Sequence, residues 1–229
     1  MLTPTRRRGH EILDDASVDH AIRVRSINDV VRSNKLLGGL RAAAAAFKEV
    51  LPSLDADAIV LDVGTGLADI PARVRDVARG NKRSLMLVGI DEAYSLLDAD
   101  RSRLDAGVCA HALQLPFRDH SIDVVMCSQI LHHFDDDGAD HFLREMNRVA
   151  RRAVIVSDLR RSWIAAAGFW LLSFPLRFHR VTRHDGVVSV LRGFTASDLQ
   201  RLIKRATGAM PIVERRIGWR LTARWTPTR

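Results

Sequence analysis

The chain has 229 residues, 47% of them hydrophobic and 27% charged, with a net charge of +8. That composition excludes a disordered chain, and the length fits one α/β domain of roughly 170–190 residues plus an extension. Only four of the 35 basic residues are lysines (Lys35, Lys48, Lys82, Lys204). The arginines are scattered, so the charge reads as a generic basic surface and a nucleic-acid partner is not expected.

Cys109 and Cys127 lie in apolar runs without metal-ligand spacing. Neither a metal site nor a disulfide framework is therefore expected, and a reducing, cytoplasmic setting fits. The Arg-rich N-terminus is followed by an amphipathic stretch, unlike the continuous apolar core of a signal peptide. The most hydrophobic segment, Trp163 to Leu176, contains Pro175 and falls short of the ~20 residues a spanning helix needs. Transient membrane contact stays open.

Along the chain, residues 1–9 read as a basic tail. From His10 to about Val50 apolar residues recur at helical spacing (Ile22, Val30, Leu37, Phe47), and Gly38-Gly39 divides this run into at least two helices. Residues 1–54 are thus a helical extension or cap to a domain over 55–229, entered through the turn at Pro52 and Asp55. Short β-rich runs then alternate with helices. Strands are expected at Ile59 to Val63, Leu85 to Ile90, Gly107 to His111, Ile122 to Cys127 and Ala153 to Ser157, with helices to about Arg79 and from Asp137 to Ala150. Such alternation implies parallel βαβ units. Trp163 to Phe178 follows as an apolar helix or helix pair. Thr195 to Asp198 resembles a capping box opening a helix that ends near Gly208. Ile212 to Trp225 has the length of an antiparallel hairpin around Gly218. The expected fold is α/β: a mostly parallel sheet with an antiparallel C-terminal hairpin and helices on both faces.

The run Val60-Leu61-Asp62-Val63-Gly64-Thr65-Gly66-Leu67-Ala68-Asp69 ends a buried strand in a glycine turn, a general device for bringing backbone close to a nucleotide. A dinucleotide fingerprint would carry glycine or alanine where Asp69 stands. A carboxylate in the first helical turn repels a pyrophosphate and suits a cationic ligand without phosphate, which counts against a nicotinamide-dependent oxidoreductase. Gly89-Ile90-Asp91 then puts an acid at the end of the second strand, where it can accept from both ribose hydroxyls.

Together with Leu115-Pro116-Phe117, Ser121 to Val125 and Leu131-His132-His133-Phe134, these runs resemble the class I S-adenosyl-L-methionine (SAM)-dependent methyltransferases. The similarity is greatest to the type 11 group that includes ubiquinone/menaquinone methyltransferases, and it spans roughly 55–157. The resemblance implies a Rossmann-like seven-stranded sheet, SAM as cofactor and S-adenosyl-L-homocysteine (SAH) as product. It implies that Asp62, Gly64 and Gly66 line the methionine side of SAM, with Thr65 and Asp69 also among the cofactor-binding residues, that Asp91 holds the ribose, and that Glu92 and Ala93 flank the adenine. Gln129, Ile130 and His132 would face the cleft. Two positions depart from the family pattern. Ala68 replaces a glycine, and His111, before Ala112, replaces an aspartate that accepts from the adenine amino group. A neutral imidazole can still accept through one nitrogen, or a backbone contact can suffice.

Candidate bases for the acceptor are His132, His133 and His184, with His179 and Asp185 as further options. The polar segment His179 to Gly186 is either part of an acceptor-binding insertion at about 160–194 or a solvated loop. Trp163 to Leu176 is either a core helix or one wall of a lipophilic pocket. The expected acceptor is a small lipophilic or aromatic molecule (phenolic, quinone-like or polyketide-like), methylated at O or C. The rival expectations are an RNA or tRNA methyltransferase and a SAM-binding protein without turnover. After the fourth strand the chain reads Cys127-Ser128-Gln129-Ile130, not the Asn/Asp-Pro-Pro-aromatic run of adenine and amide methylation.

Overall fold

The computed structural model describes residues 3–7, 9–15 and 17–228; positions 1, 2 and 8 of the basic N-terminal stretch lie outside them. Short runs of β-branched and aliphatic residues form the strands β1 (Ile59–Val63), β2 (Met86–Asp91), β3 (Ala106–Cys109), β4 (Ile122–Ser128) and β5 (Ala150–Leu159), and the hairpin pairs β6 (Ile212–Arg216) with β7 (Arg220–Trp225). They make one sheet in the order β3-β2-β1-β4-β5-β7-β6. β1 to β5 pair in parallel, and β7 runs antiparallel to both β5 and β6. The centre strands β1 and β4 are buried on both faces because helices cover both. From β1 the chain steps outward to β2 and β3, then returns to β4 on the other side of β1. The crevice for a ligand therefore opens at the C-terminal ends of β1 and β4, where the strand order reverses.

The helices are α1 (His20–Leu36), α2 (Gly39–Val50), α3 (Asp69–Gly80), α4 (Tyr94–Asp98), α5 (Asp136–Val149), α6 (Trp163–Ser173), α7 (Arg180–Arg192) and α8 (Ala196–Thr207). One face of the sheet carries α5 and α8 through Phe142, Leu143, Met146, Leu199 and Ile203. The other carries α2 and α3 through Ala43, Ala46, Phe47, Val74 and Ala78. The alanine run lets α2 approach closely, and Phe47 is wholly buried there. At α8 the capping box is complete: Thr195 accepts from the Asp198 N–H while Asp198 accepts from the Thr195 N–H.

One segment differs from the loop alternative. The charged stretch after His179 is helical, because Val181, Thr182, Asp185, Val190 and Leu191 form a buried face beneath its arginines. His179 caps it, with its ring accepting from the Val181 N–H at 3.4 Å and its backbone N–H donating to Asp29 at 2.8 Å.

Because Phe47 joins α2 to the sheet, Phe47→Ala is expected to cost about 3–5 kcal/mol. Urea denaturation reads this directly, and a loss well under 1 kcal/mol would mean that α2 is a peripheral cover.

Candidate active site

After β1 the chain turns sharply. The Gly64 and Thr65 N–H groups both donate to the Ile90 carbonyl, at 2.8 and 2.9 Å, and Gly64, Gly66 and Ala68 take positive φ angles of 71°, 53° and 54°. A Cβ on Gly64 would stand 2.5 Å from Ile130 Cδ1, whereas beside Gly66 it would meet nothing within 4 Å. That open space is where a ligand can approach the backbone. Ala68, the departure from glycine, holds a left-handed conformation that costs an L-residue about 1 kcal/mol; the loop tolerates it.

Three carboxylates surround this turn. Asp62 is buried and its Oδ1 has no hydrogen-bond partner. Burial, reinforced by the negative charges of Asp69 and Asp91, pushes its carboxyl up to about 8. Asp69 opens α3 and is also raised by burial, although its Oδ2 accepts from Asn34 Nδ2 at 3.2 Å. Asp91 at the end of β2 accepts from the Gly66 N–H through Oδ2 and from the Ala93 N–H through Oδ1, both at 2.9 Å. Each of its oxygens keeps a second lone pair for a further donor.

At the far side of the crevice His111 and Glu92 face each other, Nε2 to Oε1, at 3.4 Å. His111 Nδ1 accepts from the Leu113 N–H at 3.1 Å. Its proton therefore sits on Nε2, so the ring presents a donor to the crevice. Ala112 is buried next to it.

Beyond β4, Gln129 takes a φ of 57°, and the chain curls through the 3₁₀ turn Leu131–His133. His132 is thereby set on Asp158, at the end of β5. Nδ1 lies 2.7 Å from Asp158 Oδ1, the His132 backbone N–H donates to Oδ2 at 3.2 Å, and exposures are 3% and 0%. Burial alone would raise Asp158, but the charge and hydrogen bond of His132 outweigh it, and the carboxyl stays below its usual range. An ionised carboxylate only accepts, so Nδ1 carries a proton, and in the neutral form of the ring Nε2 is the acceptor; that atom is buried and has no hydrogen-bond partner. His132 borders a cavity of about 200 Å³ that is also lined by Gln129, Phe169, Thr182, Asp185 and Arg220.

Glu11 and Asp14 close the other side. Glu11 Oε1 is 3.8 Å from His132 Nε2, and Glu11 Oε2 is 3.9 Å from His133 Nε2. A hydrogen bond from His133 holds Asp14 down to about 2. Burial would lower His133, but Asp14 and Glu11 together raise it. Arg192 ties the group together: it donates to the carbonyls of His132 and His133 at 3.2 and 2.7 Å and pairs with Glu11 and Asp14, both at 3.2 Å. The ligand atoms of Glu11, His132 and His133 lie within 4.8 Å of one another, close enough to share a cation, with the Arg192 guanidinium already against Glu11.

Asp62, Gly64, Thr65, Gly66, Asp69 and Asp91 thus come together around the turn, and Gln129, His132 and His133 around the cavity. His184 does not join them. It is half exposed and donates sideways to Asp185 at 2.8 Å. Sequence reasoning missed Glu11, Asp14, Asn34, Asp158, Arg192 and Arg220. Asp158 alone carried a local signal, an acid at the C-terminal end of a buried strand. Among the described residues, buried side-chain polar atoms without a partner include Asp62 Oδ1, Thr65 Oγ1, Ser128 Oγ, His132 Nε2 and Arg220 Nε. All five stand at the C-terminal ends of β1, β4 and β5 or next to them. Desolvated polar atoms are seldom left unsatisfied, so their gathering marks a ligand site.

Residues 61–156 match the family described as "Methyltransferase domain". The matched segment and this sheet order identify a SAM-dependent methyltransferase domain over residues 61–156, with SAM as its cofactor. It is 28% identical over 118 residues to tRNA (carboxymethyluridine(34)-5-O)-methyltransferase alkbh8 of Xenopus tropicalis. That match takes in 48% of this chain and only 18% of the relative. A Haloferax volcanii methyltransferase, solved with the Trm112 methyltransferase activator, superposes with a TM-score of 0.60 at 12% identity, covering 93% of this chain and 100% of that one. Magnesium protoporphyrin IX methyltransferase from Synechocystis with bound SAH gives 0.56 at 13% identity, covering 93% and 90%. At such identities the likeness is one of fold.

Because Asp62 is protonated below about pH 8 in the free protein, a cationic ligand beside it must displace that proton. SAH affinity is expected to rise as pH climbs from 6 toward 8, by up to about tenfold per unit. Calorimetry in buffers of different ionisation enthalpy should register net proton release. An unchanged affinity across this range, or the same slope in Asp62→Asn, would remove Asp62 from the ligand's surroundings.

Proposed function

We propose that this enzyme methylates a small, lipophilic or aromatic acceptor at an ionisable oxygen or an acidic carbon, within the cavity beside His132. The observation that carries the proposal is the buried Nε2 of His132, left without a hydrogen-bond partner beside that cavity while Asp158 holds Nδ1. A lone pair with a fixed tautomer is what a general base requires.

SAM supplies the methyl group as a sulfonium and departs as neutral-sulfur SAH. The orphaned Asp62 and Thr65 oxygens and the open space at Gly66 suit its amino-acid and sulfonium end. Asp91 has lone pairs left for the ribose hydroxyls. The Nε2–H of His111 suits a ring nitrogen of the adenine, not its amino group, so the backbone alternative is favoured for the amino group. His132 takes the acceptor's proton on Nε2 as the new bond to carbon forms, and Asp158 stabilises the resulting imidazolium. Phe169, Val190 and Leu159 give the cavity an apolar lining that excludes water and favours an apolar acceptor. Residues 9–15 and 17–36 cover one side and 160–194 the other. This base also weighs against a SAM-binding protein without turnover.

The similarity to a tRNA methyltransferase, with the net charge of +8, favours a second reading with RNA as acceptor. The two part on salt: RNA binding weakens steeply with ionic strength, whereas transfer to a phenol or quinol does not.

The test is methyl transfer from labelled SAM to phenolic lipids, quinols and polyketides beside bulk tRNA. His132→Asn, which keeps a donor for Asp158, is expected to lower kcat by about 10²–10⁴ with SAH affinity unchanged. Near-wild-type turnover in that variant would refute the base, and activity on tRNA alone would refute the acceptor.

A further inference from the structure

The helix α6 is apolar on both sides, with small residues turned inward and large ones outward. Its inner side is built from Ala165, Ala166 and Ser173, which are buried, together with Phe169 at the cavity. The large apolar side chains point outward. Trp163, Ile164, Ala167, Trp170, Leu171 and Phe174 recur at the i, i+4, i+7, i+8 spacing of one helical stripe, and all six are exposed, with Leu171 at 60% and Trp170 at 48%. A stripe of this kind on a monomer's surface marks an interaction site.

Its surroundings specify the partner. From 159 to 184 the chain holds five arginines and no acidic residue. Arg183 stacks its guanidinium 3.7 Å from the Phe174 ring centroid, and Arg7 lies 4.9 Å from that of Trp163. Arg177 and Arg180 are exposed just past the helix. Exposed tryptophans and a phenylalanine rimmed by arginines from outside the helix suit the headgroup region of an anionic bilayer. Its 11 residues span about 16 Å, too short to cross, and among the described residues no helix is long and apolar enough to do so.

We infer that α6 seats the enzyme on the surface of an anionic membrane, with Trp163 and Trp170 at the headgroup level. The same helix bounds the acceptor cavity through Phe169, and Gly186 of α7 packs so closely on that ring that a Cβ there would stand 2.1 Å from it. The docked face and the cavity are therefore two sides of one layer. The inference goes beyond the proposed reaction and stands without it.

Co-sedimentation of the full chain with vesicles of phosphatidylcholine containing 30% phosphatidylglycerol tests it, with no cofactor or acceptor present. Binding is expected, with a blue shift in tryptophan emission, and it should weaken in pure phosphatidylcholine and at high salt. The double variant Trp170→Glu/Leu171→Glu should lose more than tenfold in partitioning while its melting temperature and SAH affinity stay at wild-type values. Absence of binding, or equal binding by the variant, would overturn the inference. So would light scattering that finds a wild-type dimer and a monomeric variant, because a second copy would then cover the stripe.

Discussion

A carboxylate wholly removed from water must be paired, because an uncompensated buried charge costs several kcal/mol. Asp158 is such a group, and much of the site follows from satisfying it. Its oxygens take the Leu159 N–H at 2.6 Å, the His132 N–H and the His132 ring. To deliver both groups of His132, the chain after β4 must reverse within four residues. That requirement accounts for the positive φ of Gln129 and for the 3₁₀ turn that follows. The tautomer of His132 is a consequence: with Nδ1–H committed to Asp158, the lone pair is on Nε2. Arg192 and Glu11 then close around the pair, which explains why a segment as remote in sequence as 11–14 is held against α7, its N–H groups at Ile12 and Leu13 donating to Asp185.

A second constraint connects the cavity with the cofactor turn. Arg220 Nη1 donates to Gln129 Oε1 at 2.7 Å, Gln129 Nε2 donates to Asn34 Oδ1, and Asn34 Nδ2 donates to Asp69 Oδ2. The two ends fix the direction of every bond in the series. A guanidinium only donates and a carboxylate only accepts, so neither amide can flip without losing two partners. Burial brings Arg220 down to about 10 and raises Asp69, and each benefits from a chain of dipoles oriented to suit its charge. Because Asn34 belongs to α1, the series also fastens that helix to the sheet between the glycine turn and the cavity.

The sheet was legible because its strands are short, apolar and bounded by turn residues. β1, β2 and β4 begin or end within a residue of their expected limits, and the capping box of α8 is complete. The glycine turn and the place of Asp91 beside it were legible for the same reason, since that geometry depends on local order along the chain. Asp158 was partly legible. Glu11, Asp14 and Arg192 were not, because their importance lies in meeting across 181 positions of sequence, and no local pattern encodes that. The place of His184 was not legible for the converse reason: a polar run does not reveal which way the helix turns each of its side chains, and this one is half exposed. The charges of the 180–192 segment likewise hid a helix whose buried face needs only five residues.

The direction of α6 follows from the cavity itself. Periodicity reveals that Trp163 to Leu176 is apolar but not which side meets the protein. Had the tryptophans and leucines faced inward, they would have filled the space now lined by Phe169, Asp185 and Gly186, and α7 would have been pushed off. Small residues inside let α6 and α7 pack at close range through Ala165, Ala166, Val190 and Leu191, leaving only Phe169 to reach the cavity. The large side chains are then displaced to the outer surface, where water disfavours them. A chamber kept open behind the helix and an apolar stripe in front of it are thus one arrangement, and an anionic lipid surface relieves its exposed side without disturbing the other.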